Sequence, residues 1–86
     1  MVIVSQNKEH AINSEYLREI RVYENIIKAD IYEDYEVTLG EYKTEERAKK
    51  FFQEVVERHS NWESLKAGQP SGICTAIYVM PEDKED

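Results

Sequence analysis

The chain has 86 residues, of which 41% are hydrophobic and 34% are charged, and its 18 acidic and 11 basic side chains give a formal net charge of −7. This length predicts a single small domain, without room for a second core or an enclosed substrate cavity. The negative charge disfavours direct binding to DNA or RNA, because basic patches supply most of the affinity for phosphate backbones. No stretch resembles a transmembrane segment, so we expect no membrane association.

The first residues, MVIVSQNKEH, contain neither the basic segment nor the long apolar run of a signal peptide, and we therefore expect a cytoplasmic location. Cys74 is the only cysteine in the sequence. It cannot form an internal disulfide, and it lacks the neighbouring Cys or His residues of a zinc site. We expect neither a metal ion nor a cofactor.

Alternating apolar and polar residues in the first half of the chain predict β-strands. The stretch VIVSQ has the β-branched composition of a buried strand, and a return strand is expected to begin at Ile12. Further strands are predicted at 16–24, 26–33 and 35–42. In the first of these, Ile20 and Val22 are expected on one face and Leu17 on the other. The short connection at Asp34 predicts a hairpin.

The stretch LGEYKTEERAKKFF predicts the end of a strand, a turn and the start of a helix at Glu45. Thr44 is a favourable N-cap residue, and Glu45 and Glu46 complement the helix dipole in the first turn. The predicted helix, 45–60, repeats apolar residues at the spacing of one buried face. These residues are Ala48, Phe51, Phe52, Val55 and Val56. The segment SNWESLKAGQPSG then predicts a long loop, and ICTAIYVM predicts a final buried strand.

The order of these elements predicts an α+β fold. We expect a small two-layer domain, in which a largely antiparallel sheet of about five strands packs on one long helix. The single predicted domain spans residues 1–81. Residues 82–86, EDKED, have nothing to bury, and we expect them to form an acidic, disordered tail.

No group of residues in the sequence has the arrangement of a catalytic site. His10 lies in a predicted turn, and His59 lies at the end of the predicted helix, where an imidazole is suited to capping carbonyl groups. Ser60 is adjacent to His59 but has no third group of the kind that orients the base of a triad. The three glycines are isolated, so no phosphate-binding loop is present in the sequence. We therefore predict that the protein is not an enzyme.

Two features of the composition are relevant to binding. Acidic residues are concentrated between residues 30 and 46, which is consistent either with a solvated face or with an acidic surface that meets a basic groove on a partner. The six tyrosines cannot all be buried in so small a core. They are consistent either with scattered, half-buried sheet positions or with an interface, where tyrosine is enriched.

Three short blocks, IVSQ, LGEYKTEERA and YVMPE, carry a family resemblance that spans most of the chain at intervals. With these blocks the sequence resembles a group of short uncharacterised proteins of low-GC Gram-positive bacteria, their prophages and phages. Members typically carry an Asn-Phe-Asp-Asn-like segment where this chain has INSEYL. The resemblance brings no catalytic residues, and it implies a mobile-element setting in a bacterial host cell, in which small proteins often block a defence system.

Two hypotheses of function follow. In the first, the protein binds and inhibits or modulates a larger protein, such as an anti-phage defence component. Its predicted docking residues are Tyr32, Glu33, Asp34, Tyr35, Glu36 and Trp62. In the second, a homo-oligomer sequesters a small anionic, nucleotide-like ligand. Its predicted ligand contacts are Arg18, Arg21 and Tyr23.

Overall fold

The computed structural model describes residues 1–32, 35–67 and 76–83. Within these ranges the chain forms six strands, one α-helix and one 3-10 helix. In chain order they are β1 (Val2–Val4), β2 (Ala11–Asn13), the 3-10 helix (Ser14–Tyr16), β3 (Leu17–Tyr23), β4 (Ile26–Ile31), β5 (Tyr35–Glu41), α1 (Glu45–Ala67) and β6 (Ile77–Val79).

The strands of the described residues form two three-stranded sheets. In the first sheet, β1 lies between β2 and β6 and is antiparallel to β2 but parallel to β6. In the second sheet, β3, β4 and β5 form an antiparallel meander. The predicted α+β class is confirmed. The strands nevertheless divide into two sheets, because the last strand of the chain pairs with the first and not with the meander.

The helix begins where the sequence predicts and ends later. The Thr44 hydroxyl accepts a hydrogen bond from the Arg47 amide at 3.1 Å, which satisfies one of the free donors of the first turn. The helix then continues to Ala67 instead of ending at residue 60. The prediction of a loop from Ser60 onward is therefore wrong as far as Ala67, and the remainder of that predicted loop lies outside the described residues.

The core lies between the helix and the inner faces of the two sheets. Its centre consists of side chains that are 1% exposed or less, among them Ile3, Ile27, Leu39, Val55 and Met80. Phe51 and Phe52, which the pattern predicts on the buried face of the helix, are only partly buried and pack against this core. Val56 differs from the prediction, because 42% of it is exposed.

A β-bulge changes the predicted faces of β3. The pairing register with β4 shifts between Leu17 and Glu19, so Arg18 is the extra residue. As a result Leu17 packs against the core together with Ile20 and Val22, and its prediction on the opposite face is wrong.

A hydrogen bond and two ion pairs connect the segment after β6 to the rest of the domain. The Tyr42 hydroxyl donates a hydrogen bond to the Pro81 carbonyl at 2.9 Å. Asp83 forms an ion pair with Arg47 at 2.7 Å, and Glu82 forms one with Lys8 at 3.4 Å. The first two residues of the predicted tail therefore contact the folded domain, while residues 84–86 lie outside the described part of the chain.

Candidate protein-docking surface

Three exposed tyrosines lie together at one end of the β3-β4-β5 sheet, and we call Tyr16, Tyr32 and Tyr35 the tyrosine cluster. Strand pairing brings them together, because Leu17, Ile31 and Tyr35 are direct partners across the three strands. Tyr16 is 53% exposed, Tyr32 62% and Tyr35 54%. The rings of Tyr16 and Tyr32 are 5.8 Å apart between centroids.

The local backbone positions this cluster. Tyr32 has a positive φ of 63°, which only a minority of non-glycine residues adopt. The Tyr32 carbonyl accepts a hydrogen bond from Arg18 Nη1 at 3.4 Å. Tyrosine rings combine a large apolar area with a hydroxyl group that can donate or accept a hydrogen bond, and they lose little conformational entropy on binding. The cluster can therefore contact both apolar and polar groups of a partner.

The other three tyrosines lie elsewhere. Tyr23 is 63% exposed at the opposite end of β3. Tyr42 and Tyr78 are buried in the core, and burial raises the pKa of both phenol groups above its usual value. The sequence predicts correctly that some tyrosines are exposed, but only the fold separates the three that lie together from the others.

The face of the β3-β4-β5 sheet that points away from the helix carries a network of charges centred on Arg21. Arg21 Nη1 lies 2.7 Å from Asp30 Oδ2 and 3.5 Å from Glu19 Oε1, and Arg21 Nη2 also pairs with Glu36. Lys28 Nζ lies 3.2 Å from the second oxygen of Glu36. The hydrogen bond to Asp30 is the main cause that raises the pKa of Arg21.

Two predicted site residues, Glu36 and Arg21, are already paired within this network. Glu36 is not an unpaired acidic residue at a docking surface, because Arg21 and Lys28 both contact its carboxylate. Arg21 is surrounded by carboxylates, which would repel an anionic ligand. Arg18 and Tyr23 are five positions apart along β3, or roughly 16 Å. The three predicted contacts of an anionic ligand therefore do not converge on one pocket.

Trp62 does not lie on the surface as predicted. It is 6% exposed, and its ring lies 6.1 Å from that of His59 between centroids. It is buried because the helix continues through residue 62, seven positions after the buried Val55. Glu33 and Asp34, the other predicted docking residues, lie outside the described residues.

The histidines are not part of a larger polar site. The Nε2 atom of His59 lies 3.5 Å from Glu63 Oε1, one helical turn away. The main chain of His10 donates a hydrogen bond to the Ser5 hydroxyl at 3.1 Å. In residues 1–32, 35–67 and 76–83 we find no group of three or more His, Cys, Asp or Glu residues that could hold a metal ion. The same ranges contain no helix with the length and apolar character needed to cross a membrane.

An apolar groove, which the sequence pattern does not predict, opens between β3 and α1. It has a volume of about 140 Å³ and is lined by Ile3, Leu17, Ile20, Val55, Val56 and His59. The exposed position of Val56 and the bulge that turns Leu17 inward both contribute to it.

Comparison of the chain with protein-family models, with curated proteins and with solved structures gives no match.

Proposed function

We propose that the protein is a non-enzymatic binding protein that docks on a larger protein through the tyrosine cluster and inhibits or modulates it. The observation that carries this proposal is the shared exposure of Tyr16, Tyr32 and Tyr35 at one end of a sheet, each more than half exposed. The rings of Tyr16 and Tyr32 are 5.8 Å apart between centroids, and exposed aromatic rings that lie close together are typical of interaction sites.

The charge of the chain supports a partner with a basic surface. A net charge of −7 on 86 residues generates a negative potential that accelerates encounter with a positive surface. Association should therefore be slower at high salt, because ions screen this attraction. The resemblance to phage and prophage proteins supports a component of a bacterial anti-phage defence system as the class of partner.

The experiment compares three forms of the tagged protein in lysate of a low-GC Gram-positive bacterium. They are the original chain, the double variant Tyr32→Ser/Tyr35→Ser and the control Ile77→Ser. The control removes a side chain that is 63% exposed but lies in the other sheet. Captured proteins and released small molecules are identified by mass spectrometry, and thermal melts establish that all three forms are folded.

We expect a stoichiometric protein to be captured by the original chain and by Ile77→Ser, but not by the double variant. Equal capture by all three folded forms would show that the tyrosine cluster is not the docking surface. Release of a nucleotide without any protein would favour the alternative, an oligomer that sequesters an anionic ligand. That alternative has less support, because Arg21 already has carboxylate partners.

A further inference from the structure

We propose that the outer edge of β3 pairs with the same edge of a second copy of this chain, so that two meanders form one continuous antiparallel sheet. This inference concerns a different surface from the tyrosine cluster and does not depend on the docking function. It rests on three observations: an open strand edge, a charge pattern that is complementary to itself, and the apolar groove beside the edge.

The edge of β3 is open along six residues, 18–23. β3 pairs with β4 on one side. The Leu17 amide donates a hydrogen bond to the Ser14 carbonyl of the preceding 3-10 helix, and among the described residues no main-chain group outside β4 forms a hydrogen bond with residues 18–23. The outer edge of β5 differs, because the Gln6 amide donates to the Leu39 carbonyl at 2.7 Å and the Gln6 side chain accepts from the Glu41 amide at 2.9 Å. An unpaired edge of this length offers a row of free N–H and C=O groups to another strand.

The charges on β3 favour pairing with the same strand of a second copy. The segment Leu17–Tyr23 carries Arg18, Glu19 and Arg21, so it has more basic than acidic groups within a chain of net charge −7. In an antiparallel pair centred on Ile20, Glu19 lies directly opposite Arg21 of the partner subunit. The two-fold symmetry repeats this contact, which gives two opposite-charge pairs on one face.

The opposite face of the same pair is apolar. Because successive residues of a strand point to opposite faces, the two Ile20 side chains would meet on the helix side of the sheet. There they extend the groove between β3 and α1, where Val56 is 42% exposed. Pairing of the edges would bring the two grooves together and cover Val56 in both copies. The charged face fixes the register, and the apolar face supplies the hydrophobic contact.

The test measures self-association of the full chain by analytical ultracentrifugation. The variant Glu19→Lys places a lysine opposite Arg21 of the partner subunit, twice per dimer. The matched control, Glu9→Lys, makes the same charge change in the turn between β1 and β2. We expect Glu19→Lys to weaken dimerisation by roughly tenfold or more, and Glu9→Lys to leave it unchanged.

Amide hydrogen exchange of the unmodified chain provides a second measurement that does not depend on a variant. We expect the β3 amides that point away from β4 to exchange more slowly as the protein concentration rises. A chain that stays monomeric up to about millimolar concentration would overturn the inference. A dimer that both variants weaken equally, and in which the β3 amides stay unprotected, would also overturn it. Protection of the β3 amides that appears only when another protein is added would overturn it as well.

Discussion

The Tyr42 hydroxyl donates a hydrogen bond to the Pro81 carbonyl at 2.9 Å, and this bond joins the end of β5 to the segment that follows β6. Tyr42 is 2% exposed, and its ring lies 4.8 Å from that of Phe51 between centroids. The side chain of Gln6 also reaches the Pro81 carbonyl, at 3.4 Å. Contacts between residues far apart in the sequence thus hold the final strand beside the first.

Tyr42→Phe should lower the free energy of unfolding by about 0.5 to 1.5 kcal/mol, which is the typical net contribution of one hydrogen bond. The ring remains in place, and Gln6 still contacts the Pro81 carbonyl, so the loss should not exceed this range. Urea denaturation monitored by circular dichroism measures the change. Tyr23→Phe is the control. Because Tyr23 is exposed, this change should lower the free energy of unfolding by less than about 0.5 kcal/mol. Equal effects of the two changes would contradict a specific role for the bond to Pro81.

Stability should fall at alkaline pH. Burial is the main cause that raises the pKa of Tyr42 above its usual value of 10.0, and the neighbouring Tyr78 and Asp83 raise it further. Above pH 10 the unfolded chain loses this proton while the folded chain keeps it, so the free energy of unfolding decreases as the pH rises. Urea midpoints measured between about pH 8 and pH 11 should show this decrease, with a shallower slope for Tyr42→Phe. Identical slopes would contradict the assignment to Tyr42.

Gly40→Ala should destabilise the protein by about 1 to 3 kcal/mol, because a Cβ atom at this position would overpack the core. That atom would lie 2.9 Å from both Cε2 and the hydroxyl oxygen of Tyr42. The Tyr42→Phe background removes the contact with the oxygen and leaves the contact with the ring. The penalty of Gly40→Ala should therefore be smaller in that background, which a double-mutant cycle of urea unfolding would detect.

The start of the helix could be predicted from the sequence because its signals are local. Thr44 supplies the cap, and an uninterrupted apolar repeat follows it. The helix ends at Ala67 and not at the predicted residue 60, because Ser60 and Asn61 are poor helix formers but do not break a helix. The buried Trp62 fits the same repeat, seven residues after Val55, and could have indicated the continuation.

Other features depend on contacts that are distant in sequence. β1 and β6 are separated by more than 70 residues, and no local pattern predicts their parallel pairing. The bulge at Arg18 interrupts the alternation that would otherwise assign Leu17 to the outer face. The tyrosine cluster depends on the register of three strands, so Tyr16 could not be grouped with Tyr32 and Tyr35 from the sequence alone.

Neighbouring valines of the helix provide a test of the packing. Val55 is 1% exposed, whereas Val56 is 42% exposed. Val55→Ala should lower the free energy of unfolding by about 1.5 to 3 kcal/mol, from lost burial and a residual cavity. Val56→Ala should change it by less than about 0.5 kcal/mol in the monomer. Chemical denaturation at low protein concentration measures both. A larger loss of unfolding free energy for Val56→Ala than for Val55→Ala would mean that the helix is rotated relative to the sheets.

Replacement of Arg21 should separate a structural role of this residue from an anion-binding role. Arg21→Gln leaves the carboxylates of Glu19, Asp30 and Glu36 close together. Among the described residues, Lys28 is the other cation of the network, and it pairs with Glu36. The variant should therefore be less stable than the original chain at pH 7, where like charges repel. This difference should shrink at high salt, because ions screen the repulsion between these partly exposed carboxylates.

Arg18→Gln is the matched control for this change, since Arg18 Nη1 contacts the Tyr32 carbonyl and, within the described part of the chain, pairs with no carboxylate. Its effect on stability should be small and nearly independent of salt concentration. Thermal melts of the three forms at pH 7, in low and in high salt, measure the stability, and a titration with inorganic phosphate followed by NMR measures anion binding. If the role of Arg21 is only to neutralise its carboxylate neighbours, the chemical-shift changes caused by phosphate should be equally small in all three forms. Saturable phosphate binding that disappears in Arg21→Gln would instead favour the anion-binding alternative, because it would mean that an anion competes with three carboxylates for this guanidinium group.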